Sequence, residues 1–174
     1  ANTTGSYNTA VGMDALVVNT TGANNTAVGK SALAASTTGT QNTAVGALSM
    51  DTLTTGNYNT ALGYNSLGNI TTGQLNVAIG IQAGDALSTQ ERNVFIGYLA
   101  GSSSTSSQIV AIGSQALQNN TSGVNNTAIG YAAANSSTTG ASNTVVGHTA
   151  FNQATTSGNN TIVGTQAGYG ITTG

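Results

Sequence analysis

The pentapeptide Asn-Thr-Ala-Val-Gly occurs at residues 8–12, 25–29 and 42–46, and close variants of it recur along the rest of the chain. The variants are NTALG at 59–63, NVAIG at 76–80, NVFIG at 93–97, IVAIG at 109–113, NTAIG at 126–130, NTVVG at 143–147 and NTIVG at 160–164. Successive closing glycines are 17 residues apart, except for one spacing of 16 between Gly97 and Gly113. A fixed short period of this kind is typical of a repeat architecture.

Aligning the ten repeats on their closing glycine, called position 0, shows which residue types occur at each position. Position −1 is always aliphatic, position −2 is mostly Ala, and position +3 is Ala or Ser. Position −4 is Asn in nine of the ten repeats, with Ile109 as the exception, and a Thr-Thr-Gly or a near relative follows many repeats, as at 20–22 and 172–174. The closing glycines are Gly12, Gly29, Gly46, Gly63, Gly80, Gly97, Gly113, Gly130, Gly147 and Gly164.

A period of 17 residues predicts an all-β fold, a parallel β-solenoid of ten coils that forms a single array over residues 1–174. Helical-pair repeats and propeller blades need about 33 residues or more. One solenoid coil, by contrast, needs only two short strands and two turns. The Thr-Ala-Val segments favour strands, and the glycines supply the positive φ or the close backbone approach that tight corners require.

Stacking of the coils turns each repeat position into a column of like residues about 4.8 Å apart. We expect the aliphatic column at position −1 to form a thin core, and the Asn column at position −4 to form a ladder of side-chain amides. The predicted core residues are Val11, Val28, Val45, Leu62, Ile79, Ile96, Ile112, Ile129, Val146 and Val163. The predicted ladder residues are Asn8, Asn25, Asn42, Asn59, Asn76, Asn93, Asn126, Asn143 and Asn160.

Only 3% of the 174 residues are charged, and the net charge is −2. In a stacked column an ionised side chain would face its own copy, so the repeat architecture explains this scarcity. Two basic residues do not provide an electrostatic surface for nucleic acid or an anionic membrane. The chain has no cysteine for a disulfide or a thiolate metal site, and its apolar runs are too short to span a membrane.

The sequence does not predict an enzyme, a metal site or a cofactor site. His148 is the only histidine, so it lacks a second histidine for a metal site. Asp85, Asp51 and Asp14 lie almost four or more coils away from His148, so no aspartate is placed to orient it in a catalytic triad. The three aspartates lie in different coils from one another, which leaves no pair for acid–base catalysis.

A solenoid with so thin a core is expected to draw stability from other chains. The alternation of Ala and Gly at positions −2 and 0 gives one strand face few side chains, and such a face permits close approach of another backbone. Two interpretations remain open: a homo-oligomer that packs through this face, and a single-chain solenoid whose two sheets pack closely. No capping sequence is evident at either end, so we also expect an excerpt of a longer array or end-to-end stacking into a filament.

The segments NVAIG at 76–80, IVAIG at 109–113 and NTAIG at 126–130, each followed two residues later by Ala, resemble the YadA-like head repeats of trimeric autotransporter adhesins. The arrays of NTAVG, Ala-Leu and Thr-Thr-Gly also resemble segments of bacteriophage tail fibres. The resemblance covers residues 8–174 and implies a left-handed β-roll assembled as a homotrimer, located outside the cell, on a cell surface or on a virion. The repeat is longer than is usual for the adhesin family.

These observations predict a segment of a structural and adhesive fibre, an adhesin head or shaft or a phage tail-fibre shaft. A host-cell or glycan receptor is the expected partner, because Tyr64, Tyr98 and Tyr131 share position +1 and tyrosine can stack against sugars. Arg92 is a further candidate contact, beside the break in the period. The alternative function is an ice-binding β-solenoid, which the threonine columns and the low charge favour.

Overall fold

The computed structural model describes residues 2–172, so the last two residues of the Thr-Thr-Gly at 172–174 lie outside the described part. Ten parallel strands form one sheet in chain order. The strands are β1 Thr9–Val11, β2 Thr26–Val28, β3 Thr43–Val45, β4 Thr60–Leu62, β5 Val77–Ile79, β6 Val94–Ile96, β7 Val110–Ile112, β8 Thr127–Ile129, β9 Thr144–Val146 and β10 Thr161–Val163. Each strand pairs with the next in register with the repeat, as in Thr26 opposite Thr43. The predicted parallel β-solenoid is therefore confirmed, and residues 2–172 contain no helix.

Each coil contains one strand of three residues rather than the two strands that we predicted. The rest of the coil is a chain of turns that is still bonded to the next coil. Leu33 N–H donates to the Ser49 carbonyl at 3.1 Å, and Thr37 N–H donates to the Thr54 carbonyl at 3.0 Å. Backbone ladders therefore extend around the coil beyond the sheet, and the second sheet of the single-chain interpretation does not exist in residues 2–172.

The turns depend on residues with positive φ at fixed repeat positions. The closing glycines have φ between 128° and 143°, which L-residues rarely adopt. The glycines of Thr-Thr-Gly are required for a different reason, since a Cβ on Gly22 would meet the Gly39 carbonyl oxygen at 2.4 Å. Positions −5, +2 and +4 are also left-handed in every coil, mostly in residues other than glycine, such as Leu33 with φ 52°.

The hydrophobic core lies at positions −2, +3 and +4, with further buried side chains at +7, and not at position −1. Ala27, Ala32 and Leu33 are fully buried, and their counterparts are buried in the third to ninth coils and partly buried in the tenth. The prediction of an aliphatic core at position −1 is wrong for the single chain. Asn at −4 and Ala at −2 point inward, so the pleat of the strand turns positions −3 and −1 outward. The residues concerned are Val11, Val28, Val45, Leu62, Ile79, Ile96, Ile112, Ile129, Val146 and Val163.

One coil replaces the usual pair of core residues. Five of the ten coils combine Ala at −2 with Leu or Met at +4, whereas the sixth coil has Phe95 at −2 and Gly101 at +4. A Cβ on Gly101 or on Gly84, the glycine at +4 in the coil before, would overlap the Phe95 ring. The ring therefore occupies the space that two large side chains fill elsewhere, and it is fully buried.

The Asn column forms hydrogen bonds between coils in the direction of the chain. Asn59 Nδ2 donates to Asn42 Oδ1 at 3.2 Å, and the Asn59 backbone N–H donates to the same oxygen at 2.9 Å. Asn59 Nδ2 also donates to the carbonyl of Gly73 at 2.9 Å. The column is interrupted at Ile109. Its backbone N–H donates to Asn93 Oδ1 at 3.0 Å, but its side chain has no group that could accept a hydrogen bond from the next coil.

Candidate interaction surface

The outward face of the sheet is formed by positions −3 and −1 of all ten strands. Position −3 is Thr or Val and position −1 is Val, Leu or Ile. The exposed fraction is 57% for Val11, 46% for Leu62 and 67% for Val163, and the other residues at position −1 are partly exposed. We call positions −3 and −1 together the sheet face. It is an apolar stripe that runs the length of the described solenoid.

The residues at position +1 form a second exposed column at the rim of the sheet face, where the backbone leaves the strand. Tyr64, Tyr98 and Tyr131 lie in this column, and their exposed fractions are 51%, 51% and 50%. Each is separated from the next by one coil, whose residue at +1 is Ile81 or Ser114. The structure therefore brings the three predicted tyrosines into one row, two coils apart.

Hydrogen bonds between coils fix the register of this row. Gln115 N–H donates to the Tyr98 carbonyl at 2.8 Å, and Ala132 N–H donates to the Ser114 carbonyl at 2.9 Å. Ser114 consequently lies on the coil directly between Tyr98 and Tyr131. Where two rings occupy adjacent coils they stack: the Tyr131 and His148 centroids are 5.2 Å apart and the ring planes differ by 18°.

His148 has no catalytic partner in the described part of the chain. Its ring stacks on Tyr131, and its Nδ1 is 3.3 Å from the hydroxyl of Thr149 at the exposed surface. Among residues 2–172 no group of three or more His, Cys, Asp or Glu side chains is placed to hold a metal ion. No pocket opens on this surface either.

A carboxylate corner lies on the third to fifth coils at position +5. Asn65 Nδ2 donates to Asp85 Oδ1 at 2.8 Å, and Asn69 Nδ2 donates to the same oxygen at 3.2 Å. Burial raises the pKa of Asp85 above its ordinary value. The Asn65 hydrogen bond lowers this pKa, the charge of Asp51 raises it, and a hydrogen bond from Gln82 lowers it. Burial also raises the pKa of Asp51, against hydrogen bonds from the backbone of Asp51 and Thr52.

Arg92, the other predicted contact, lies at position −5 and is exposed. Its guanidinium pairs with the carboxylate of the neighbouring Glu91, and 57% of the Arg92 side chain is accessible. The 16-residue repeat lacks one residue near Arg92, the second threonine of Thr-Thr-Gly. Thr105 occupies the first threonine position, and it is followed directly by Ser106, which occupies the glycine position. The break therefore shortens one turn, and strands β6 and β7 still pair in register.

No protein-family model, curated protein or solved structure matches this chain. In residues 2–172 no helix is long and apolar enough to cross a membrane. What the chain does must therefore be inferred from its surface.

The tyrosine row was predicted at the surface, whereas the aliphatic residues of the sheet face were predicted to form the core. The missed signal was the strand alternation itself. Once the nine asparagines at −4 point inward to form their ladder, position −1 has to point outward.

Proposed function

We propose that this chain is a segment of a rigid extracellular fibre that assembles as a homotrimer through the sheet face. The observation that carries the proposal is the unbroken exposure of aliphatic side chains at position −1 along ten strands. Soluble monomers rarely expose one contiguous apolar patch of more than a few hundred square ångströms. A second copy of the same chain has the same period of 17 residues. Its rows of outward side chains therefore have the same spacing as those of the first copy along the whole sheet face.

The sheet face is long and narrow. Ten strands at about 4.8 Å spacing give a length of about 45 Å, and the three residues of each strand, positions −3 to −1, span about 10 Å, or about 450 Å² per chain. A standard interface buries about 800 Å² per partner, so this interface lies at the small end of the range. The near absence of charge on this face removes the repulsion between identical columns that would otherwise oppose assembly.

The proposal is tested by the mass of the chain in solution, measured by sedimentation equilibrium. The expected mass is three times the 17.0 kDa of one chain. Val45→Glu and Ile79→Glu place a carboxylate on the sheet face, and we expect both variants to dissociate because three buried charges would approach one another. Thr38→Glu and Thr72→Glu, at the exposed turn position +9, are matched controls that should stay assembled. A monomeric wild-type chain would overturn the proposal.

Ice binding is the alternative, and one observation favours it. Thr9, Thr26, Thr43 and Thr60 form an outward column at position −3 beside the valine column, on a regular sheet. The Thr-Thr pairs do not supply a second outward strand column. They lie in turns, and the first hydroxyl of the pair donates to the next coil, as from Thr20 to the Thr37 carbonyl at 2.9 Å. Thermal hysteresis by a monomer would support ice binding, which needs the sheet face free of partners.

A further inference from the structure

Position +1 carries an aromatic ring or a large side chain in every coil from Tyr64 to His148 except one. In that coil the residue is Ser114, whose small side chain leaves a gap in the row. Tyr98 and Tyr131 lie one coil below and one coil above Ser114, in the register fixed by the backbone hydrogen bonds between these coils. Two coil spacings separate the backbones at Tyr98 and Tyr131 by about 9.6 Å. We call this opening the Ser114 slot.

The Tyr131–His148 pair shows what a ring in a neighbouring coil does. With the two residues on adjacent coils, the ring planes are nearly parallel and the centroids are 5.2 Å apart. The faces of these two rings are therefore presented along the axis of the solenoid, and we take the Tyr98 ring, at the same repeat position, to do the same. A flat ring that enters the Ser114 slot would lie about 4.8 Å from Tyr98 on one side and from Tyr131 on the other, which is within stacking range.

The chemistry around the slot distinguishes between possible occupants. The hydroxyl of Ser114 and the side-chain amide of Gln115 form no hydrogen bond with other described residues, and both residues are partly exposed. The two positively charged side chains, Lys30 and Arg92, lie on the second and sixth coils, and Arg92 is paired with Glu91 at a different corner. The slot thus offers two aromatic faces and free hydrogen-bonding groups, without a cation for a phosphate, sulfate or acidic sugar.

We propose that the Ser114 slot binds one ring of a neutral glycan, sandwiched between Tyr98 and Tyr131 and hydrogen-bonded by Ser114 and Gln115. The C–H faces of a pyranose can stack on the two tyrosine rings, and its hydroxyl groups can form hydrogen bonds with Ser114 and Gln115. The inference goes beyond the fibre assembly proposed above and gives a ligand class to the adhesive role that the sequence predicts.

The chain contains its own control. Tyr64 and Tyr98 are also two coils apart, but Ile81 lies between them with an exposed, branched apolar side chain. Ile81 closes that gap and offers no hydrogen bond. The Ser114→Ile variant copies Ile81 at the same repeat position, so the fold is known to tolerate it, and Ile81→Ser opens a second slot.

The test is a titration of the wild-type chain with cellohexaose, chitohexaose and mannohexaose, followed by saturation-transfer NMR and calorimetry. Sialyllactose and a heparin hexasaccharide form the anionic arm, and a tyrosine-rich peptide forms the aromatic arm. We expect at least one neutral hexasaccharide to bind, and Tyr98→Ala, Tyr131→Ala or Ser114→Ile to weaken it by about tenfold or more. Tyr64→Ala and Ser103→Ile, which lie away from the slot, should bind as the wild type does. Ile81→Ser should raise the number of sites per chain from one to two.

The proposal is overturned if no neutral hexasaccharide binds at millimolar concentration, if binding is confined to the anionic or the aromatic arm, or if Ser114→Ile binds normally. Sedimentation of each variant separates this outcome from the failure of the fibre proposal. Binding by a wild-type chain that proves monomeric would retain the slot and remove the trimer, whereas a trimer without binding would do the reverse.

Discussion

The regular coils of residues 25–79 and the irregular segment of residues 84–109 solve the same packing problem with different residues. In the regular coils, Ala at −2 faces a large residue at +4, as with Ala27 and Leu33 or Ala61 and Leu67, all fully buried. In the irregular segment Phe95 is at −2 and glycine is at +4 in its own coil and in the coil before. The comparison shows that space in the core is filled from the turn in the regular coils and from the strand in the irregular segment.

The last described coil repeats this exchange in a milder form. Ile162 is at −2 and Gly168 is at +4, and a Cβ on Gly168 would lie 3.2 Å from Ile162 Cδ1 and 3.3 Å from Phe151 Cδ2. Two separate coils therefore pair a larger strand residue with glycine in the turn. Cores tolerate substitutions that keep the total side-chain volume, whereas unfilled space lowers stability. This accounts for the coupling between positions −2 and +4 in these two coils.

Removal of the Phe95 ring should produce the largest effect. Phe95→Ala in the otherwise unchanged chain leaves a void lined by Gly84 and Gly101, and we expect it to lower the free energy of unfolding by about 3–5 kcal/mol. Adding Gly84→Leu and Gly101→Leu reproduces the regular coil, whose leucines at +4 have the same left-handed φ. The triple variant should recover most of the loss in urea unfolding. Failure of the two leucines to recover any stability would show that the glycines serve the turn and not the core.

The period of the sequence was sufficient to predict the all-β parallel solenoid, because few architectures accommodate 17 residues per repeat. The inward positions were harder to predict, since alanine at −2 suggested a smooth outer face and valine at −1 suggested a core. Position-by-position comparison of Phe95 and Gly101 with Ala27 and Leu33 would have shown the coupled pair. The left-handed φ of leucines at +4 was not predictable, because it is unfavourable for each residue alone and is maintained by the hydrogen bonds between coils.

The irregular segment also replaces a hydrogen bond, and this substitution gives a second, smaller effect. In regular coils the asparagine at −4 donates to the carbonyl of the glycine in Thr-Thr-Gly, as Asn42 does to Gly56 at 2.8 Å. We call this carbonyl the corner carbonyl. Ile109 cannot donate to the corresponding carbonyl of Gly123. That carbonyl instead accepts from Asn120 Nδ2 at 3.0 Å.

Asn120→Leu should therefore cost about 1–3 kcal/mol in the free energy of unfolding, since it leaves a buried carbonyl without a donor. Leu53 occupies the same repeat position in a regular coil without this penalty, because Asn42 serves the corner there. Ile109→Asn in the same chain should restore the donor and cancel most of the cost. A double-mutant cycle in urea measures the coupling, and strictly additive effects would contradict the exchange of donors.

The smallest effect concerns the two carboxylates, one in a regular coil and one in the irregular segment. Burial raises the pKa of Asp85 and of Asp51 above the value in the unfolded chain, so the folded state binds protons more tightly. The stability contributed by these groups is therefore greatest when they are protonated, and it is lost as the pH rises from about 4 through their raised pKa values. We expect the thermal midpoint of the wild-type chain to fall between pH 4 and pH 7.

Asp85→Asn keeps an oxygen that accepts from Asn65 and removes the buried charge, so its thermal midpoint should change less over this range than that of the wild type. Asp85→Asn also removes the group whose pKa the charge of Asp51 raises, two coils away across Gly68. Asp14→Asn, at an exposed position in the first coil, is the matched control and should retain the wild-type dependence. An identical pH dependence in the Asp85→Asn and Asp14→Asn variants would mean that solvent reaches the Asp85 carboxylate in the folded chain. Only a desolvated carboxylate makes the folded chain bind the proton more tightly than the unfolded chain does.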